Sequence, residues 1–249
     1  DCAAQRRPRA VKLDPAAVAV VAGGDRPLRE STMLSQIPAA TRLLLLSFAV
    51  VFALQQLWPD PMLARFGLWP DLGPILVART SEGPVHASFH WWQFLSHGFL
   101  HGGIAHLLLN GVVLLGFGPA LELRWGAARF ALFFALCVIG GGLAQWLLTA
   151  APAPGEGVSV TLGASGGVFG VVTVFALLYP RQRVLLLIPP VPMPAWLLVV
   201  LFAVASTVLG VTGWVPGIAH FAHLGGMVAG LLLWFALARH WRRPPPPPR

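Results

Sequence analysis

Apolar residues in this 249-residue chain come in long runs separated by short polar breaks. The first run covers residues 43–57 and stops at Trp58-Pro59, an aromatic suited to a membrane interface followed by a helix breaker. A second covers 100–121 and ends at Glu122-Leu123-Arg124, and a third covers 130–151. A fourth lies within the uncharged window 157–180 and is predicted to start near Ala164. From 184 to 238 there is no Asp, Glu, Lys or Arg, 55 positions in a row. That is too long for one membrane-crossing helix and right for two, divided by the glycine-bearing segment 210–217. The pattern predicts an all-α polytopic bundle of six transmembrane helices within residues 41–240. Residues 1–40 read as a polar, Arg-rich tail with one apolar stretch at 16–22, and 241–249 as a solvated proline-rich tail. The connection 58–97 holds Trp69, Trp91, Trp92 and several prolines. It is too long and too apolar for a plain linker and is expected to lie partly in the membrane interface.

Composition sharpens the class. Hydrophobic residues make up 56% and charged residues 10%, where a soluble domain carries about 25% charged residues. No water-soluble globule of this size buries that much apolar surface. The same numbers exclude a disordered chain, and two cysteines exclude a disulfide scaffold. The net charge of +8 sits at the ends, seven of the 17 basic residues before residue 43 and four from Arg239 onward. Placing the N-terminus inside puts 15 basic residues on the inner side and only Arg65 and Arg79 outside. That asymmetry predicts both termini in the cytoplasm of a multi-pass cell-membrane protein, and it argues against a nucleic-acid groove.

Polar groups inside spans are costly, so each carries a functional hypothesis. Setting aside Gln145 and scattered Ser and Thr, they are His101, His106 and Asn110 in span two, Ser165 in span four, and His220 and His223 in span six. These three spans run in the same direction, from outside to inside, and each carries its polar residues in its first part. Ser165 sits in Gly163-Ala164-Ser165-Gly166-Gly167 with Gly170 beyond, and Ala222-His223 is followed by Gly226 and Gly230. Glycines four apart form a close-packing face, and two such faces, each bearing half of a Ser/His pair, bring the pair together. A serine becomes a nucleophile only beside a base, and histidine serves near neutral pH. No Asp or Glu follows Glu156, so the arrangement predicted is a dyad rather than a triad. Backbone N–H groups at the start of span four would face a developing oxyanion, with His106 and Asn110, four apart on one helical face, as further donors.

His101-x4-His106-x3-Asn110, Gly163-Ala-Ser165-Gly166 and Ala222-His223-x2-Gly226-x3-Gly230 together resemble the rhomboid family of intramembrane serine proteases, in its six-span prokaryotic form, over about residues 41–240. The resemblance implies Ser165 as nucleophile, His223 as general base, and an oxyanion site built from His106, Asn110 and the Ser165 N–H. Phe169 resembles the aromatic that packs on the catalytic imidazole, and Glu122 and Arg124 match a Glu-x-Arg after span two. The 58–97 connection is similar to the family's membrane-embedded first loop. One position departs. Trp92-Gln93 stands where the family often has Trp-Arg, so the arginine's bonding would be lost and the anchoring of the loop is open.

The resemblance implies hydrolysis of a peptide bond in or next to a transmembrane helix of a membrane-protein substrate. The partners are then such substrates and the lipid bilayer, with no nucleic acid, no cofactor and no metal. The active site would open to the outer face. A metal reading of His86/His90, His97/His101 and His220/His223 lacks carboxylates in the spans; His97 and His101 are expected to hydrogen-bond at the loop-to-helix junction, and His220 to be a spectator. The rival is a rhomboid-like scaffold that binds transmembrane clients without cutting, a class that typically lacks the serine or the histidine.

Overall fold

The computed structural model describes residues 37–81, 83–149, 158–186, 190–215 and 217–241. The readings of 1–36, with its apolar stretch, and of 242–249 lie outside the described residues. In chain order the elements are α1 (Ala39–Leu57), α2 (Pro59–Phe66), β1 (Ile75–Thr80), β2 (Gly83–Ala87), α3 (Gln93–Ser96), α4 (Ile104–Trp125), α5 (Ala127–Leu148), α6 (Ser165–Leu178), β3 (Arg183–Leu186), β4 (Val191–Pro194), α7 (Ala195–Thr212) and α8 (His220–Trp241). A short 3-10 turn, His97–Phe99, joins α3 towards α4.

The chain is an all-α membrane bundle with two small hairpins. Helices α1, α4, α5, α7 and α8 are long and apolar enough to cross a membrane, while α6 has only 14 residues. At 1.5 Å per residue α6 reaches roughly 21 Å. Ten of its residues are buried, against three in α7, so α6 is the central helix, packed on by α4, α5, α7 and α8. The outer helices leave large apolar side chains exposed, such as Leu43, Leu46 and Val50 on α1 and Val200, Leu201 and Val204 on α7. These are lipid-facing surfaces, since tails are as apolar as leucine.

Several boundaries differ from expectation, and α1 begins at Ala39 and α4 at Ile104 rather than at 43 and 100. The second run does not stop at Glu122; α4 continues to Trp125. Glu122 is buried because its carboxylate accepts bonds from the N–H groups of Ala40 and Thr41, both 2.7 Å, and from the Thr41 hydroxyl, 2.8 Å. Those are otherwise orphaned donors at the start of α1, where a negative charge is favoured. Gly126, at φ +86°, then turns α4 straight into α5, so the third helix begins at Ala127 and ends at Leu148 rather than running from 130 to 151. The charge-free stretch from 184 does not start as helix either. Its first part is the β3–β4 hairpin, in which Arg183 pairs with Pro194 and Val184 with Met193. Prolines at 190, 192 and 194 forbid a helix there, and α7 starts at the first residue past the last of them.

The 58–97 connection is a structured plate. Helix α2 and the β1–β2 hairpin enclose a small core of Ala64, Trp69 and Ala87, onto which Val158 and Val160 pack from the segment before α6. An antiparallel bridge, Leu68 N–H to Thr161 O at 3.0 Å and Thr161 N–H to Leu68 O at 2.9 Å, fastens the plate to that segment.

Candidate active site

Ser165 is the first residue of α6, and its helix is placed by a turn only glycine allows. Gly163 has φ +118°, and a Cβ there would lie 2.5 Å from Cε1 of His106. The Gly163 N–H donates to the His97 carbonyl at 2.9 Å, and the first bond of the helical ladder runs from Val168 N–H to Ala164 O. The N–H groups of Ser165, Gly166 and Gly167 therefore precede the ladder and point out of the helix start.

His223 lies in the first turn of α8. Its depth is set by a seam in which backbones touch. A Cβ on Gly226 would fall on the Gly166 carbonyl oxygen, and one on Gly230 would lie 2.9 Å from Gly170 O. Equal steps of four on both chains make α6 and α8 parallel, with Ser165 one residue before one contact and His223 one turn before its partner. Gly141 of α5 closes the same junction, 2.6 Å from Ala222 O by the same construction. The His223 ring stacks on Phe169, centroids 4.4 Å apart and planes 27° apart, as expected for that aromatic. Phe169 in turn meets Phe202 of α7 edge-on at 5.1 Å. Ser165 and His223 are both partly accessible, and among the described residues no hydrogen bond joins them. Catalytic bonds are often loose in a free site and tighten with substrate.

The remaining residues divide. His106 faces Gly163 and accepts the Gly102 N–H at Nδ1, 3.4 Å; a neutral ring so bonded carries its proton on Nε2, where an oxyanion donor needs it. Asn110 is not brought to the serine by any hydrogen bond, its Nδ2 donating instead to His106 O at 3.1 Å. His97 behaves as expected: it is buried, and its Nδ1 bonds the Gln93 carbonyl at 2.8 Å. It lies outside the spanning helices, and burial pushes its pKa down to about 4 despite that bond. His101 corrects the expectation for its side chain. Among the described residues neither ring nitrogen makes a hydrogen bond of good geometry, the nearest acceptor being the Phe99 main chain, and the ring packs between Phe48 and His106 at 5.3 Å from each. Its main chain does the fastening instead. Gln55 Nε2 donates to His101 O at 2.9 Å while Gln55 Oε1 accepts the His101 N–H at 3.0 Å. His220 is buried beside His223, ring centroids 6.1 Å apart, and among the described residues its Nε2 has no hydrogen-bond partner.

Two glutamines were undervalued in the sequence. Gln145, set aside there, accepts the Ala222 N–H at 3.0 Å, sharing it with the Ala219 carbonyl, and so ties α5 to the start of α8 next to His223. Gln93 resolves the question left by the missing arginine. It is fully buried; Oε1 accepts from Trp69 N–H (3.3 Å) and His90 N–H (3.2 Å), and Nε2 donates to Ser88 O (3.0 Å) and Arg65 O (3.5 Å). A neutral amide thus ties two stretches of the plate together. A polar residue inside an apolar run was the available signal for Gln55 and Gln145.

Comparison with known proteins agrees with this architecture. The rhomboid domain family matches residues 88–240. RHOMBOID-like protein 4 of Arabidopsis thaliana is 31% identical over 194 residues, 75% of this chain and 43% of that protein. Putative rhomboid protease YdcA of Bacillus subtilis is 33% identical over 60% of this chain and 68% of its own length. Rhomboid-type serine protease 2 of Emericella nidulans is 29% identical over 60% of this chain and 27% of its own. The chain spans less than half the length of several of the curated relatives it matches, 43%, 40% and 48% for three of them.

Proposed function

As the chain belongs to the rhomboid family, we propose that it is an intramembrane serine endopeptidase, with Ser165 the nucleophile and His223 the general base. The observation that carries this reading is the glycine seam, which holds the serine and the imidazole in one layer at the starts of two parallel helices, with the imidazole stacked on Phe169. Ser165 Oγ attacks the scissile carbonyl carbon while His223 takes the hydroxyl proton. The oxyanion is held by the Ser165 N–H and by Nε2–H of His106, with Asn110 Nδ2 supplying a donor once it leaves the His106 carbonyl. His223 then gives its proton to the departing amine. Water, deprotonated by His223, attacks the acyl-Ser165 ester, releases the new carboxylate and returns the proton to Oγ.

The substrate is a membrane protein whose helix unwinds locally to reach the serine, because a helical peptide bond is engaged in its own ladder and lipid offers no water. Helix-weak residues near its outer end lower that cost. The chain sits in the cell membrane with both termini cytoplasmic and the site opening outward, a reading supported by the distribution of its arginines and lysine.

The test is labelling of the purified protein with a fluorescent fluorophosphonate, alongside Ser165→Ala and His223→Ala. Labelling that maps to Ser165 and falls at least about a hundredfold in both variants is expected, the scale of losing an activating base. A folded protein that neither labels nor cleaves a transmembrane substrate would sink the proposal in favour of a non-cutting scaffold.

A further inference from the structure

Among the described residues, the end of the bundle remote from Ser165 carries exposed arginines with no carboxylate paired to them. Helices α4 and α6 run parallel: His106 faces Gly163 at the start of α6, and Phe117 meets Phe175 near its end, ring centroids 4.9 Å apart. The far end therefore holds Arg124 and Arg129 at the α4–α5 corner and Arg181 and Arg183 after α6, all four exposed. No acidic residue follows Glu156 in the sequence. The described carboxylate at this end, Glu122, has both oxygens taken by Ala40 and Thr41.

The β3–β4 hairpin gives two of these cations a defined setting. Its base is fastened to α7 by Ala195 N–H to Gln182 O, 2.9 Å, and Trp196 N–H to Pro180 O, 3.3 Å. The paired residues Val184 and Met193 turn inward, Met193 being buried and Val184 packed on the main core. Strand alternation then turns the neighbouring pairs outward. Those pairs are Arg183 with Pro194 and Leu185 with Pro192, and Arg183, Leu185 and Pro192 are exposed. Arg181 lies just before the strand. Tyr179 and Trp196, both exposed, flank the hairpin base, and such aromatics settle at the level of lipid headgroups.

We propose that the outward face of this hairpin is a binding surface for anionic phospholipid. The guanidinium groups of Arg181 and Arg183 grip headgroup phosphate through charge-assisted hydrogen bonds, and Leu185 and Pro192 rest against the acyl boundary beneath it. Planar cations beside apolar side chains suit a lipid, which offers both chemistries within a few ångströms.

The test is native mass spectrometry of the full chain released from micelles containing phosphatidylglycerol and phosphatidylcholine of matched acyl chains. The wild type retains phosphatidylglycerol in preference. Arg181→Gln with Arg183→Gln weakens that retention about tenfold or more, given roughly fivefold per surface cation. Arg181→Lys with Arg183→Lys keeps most of it, and Arg79→Gln at the other end changes nothing. Thermal unfolding of each variant checks the fold. Equal retention of both lipids by the wild type overturns the proposal, as does a folded double glutamine variant with undiminished phosphatidylglycerol. A change in self-association without a change in lipid retention would mark the face as a contact between copies and overturn it too.

Discussion

The glycine seam between α5, α6 and α8 and the polar plate formed by residues 58–97 solve opposite problems. In the seam, past the first turns, the backbone groups are satisfied within their helices, so what matters is how closely helices approach, and the device is the absence of side chains. In the plate the backbone is irregular and half-enclosed, so its N–H and C=O groups need partners, and the device is a side chain with both donors and acceptors. Gln93 serves four main-chain groups from two stretches of chain, 65–69 and 88–90. The two regions meet at Gly163, whose N–H is held by His97 O and whose α-carbon abuts His106. The seam sets the depth of the serine, and the plate sets the turn that delivers it. One region tolerates no added atom, and the other no lost polar atom.

That contrast breaks first at Gly226. Gly226→Ala puts a methyl on the Gly166 carbonyl, so we expect loss of fluorophosphonate labelling at Ser165 and destabilisation of at least ~3 kcal/mol, read by labelling and by unfolding in mixed micelles. In the plate, Gln93→Ala strands two donors and two acceptors and costs about 4 kcal/mol, taking the low end of ~1–3 kcal/mol per unpaired buried group. Gln93→Glu sets an acceptor against the Ser88 and Arg65 carbonyls and does not recover the loss, and a Gln93→Ala protein as stable as wild type would remove the plate from the comparison.

Acid probes the plate at His97. Its folded pKa of about 4 lies below the ordinary 6.5, so the unfolded chain binds the extra proton. Its contribution is full above pH 6.5 and declines as pH falls towards 4, by ~3 kcal/mol in all. His97→Gln should flatten that part of the stability profile measured between pH 7 and 4. The smallest effect belongs to Gln55→Ala, which removes two bonds to the His101 main chain and costs ~1–3 kcal/mol. Partial loss of labelling with the fold retained is the expected result there.

Much of the site was legible in order and spacing. Glycines four apart beside Ser165 and His223 announced both the close approach and its register, because helical periodicity converts spacing directly into a shared face. The apolar helices were legible too, since the length of an uncharged run is a physical requirement of crossing lipid, although five of them have that length and α6 is shorter than its uncharged window. What misled was local chemistry read without its partner. Glu122 looked like a stop until the start of α1 supplied donors for it. The prolines at 190, 192 and 194 were absorbed into an apolar run although they exclude a helix. Gln93 looked like a loss because an amide's worth depends on which carbonyls and N–H groups surround it.

The sequence by itself determined the class of protein, the helices and the residues that share a layer, because each follows from hydrophobicity and local periodicity. Only the tertiary structure decided the fastening of the plate, the satisfaction of Glu122 and the placing of His106 against Gly163. Hydrogen bonds between residues 24, 46 or 82 positions apart depend on where the chain returns in space, and no local pattern encodes that return.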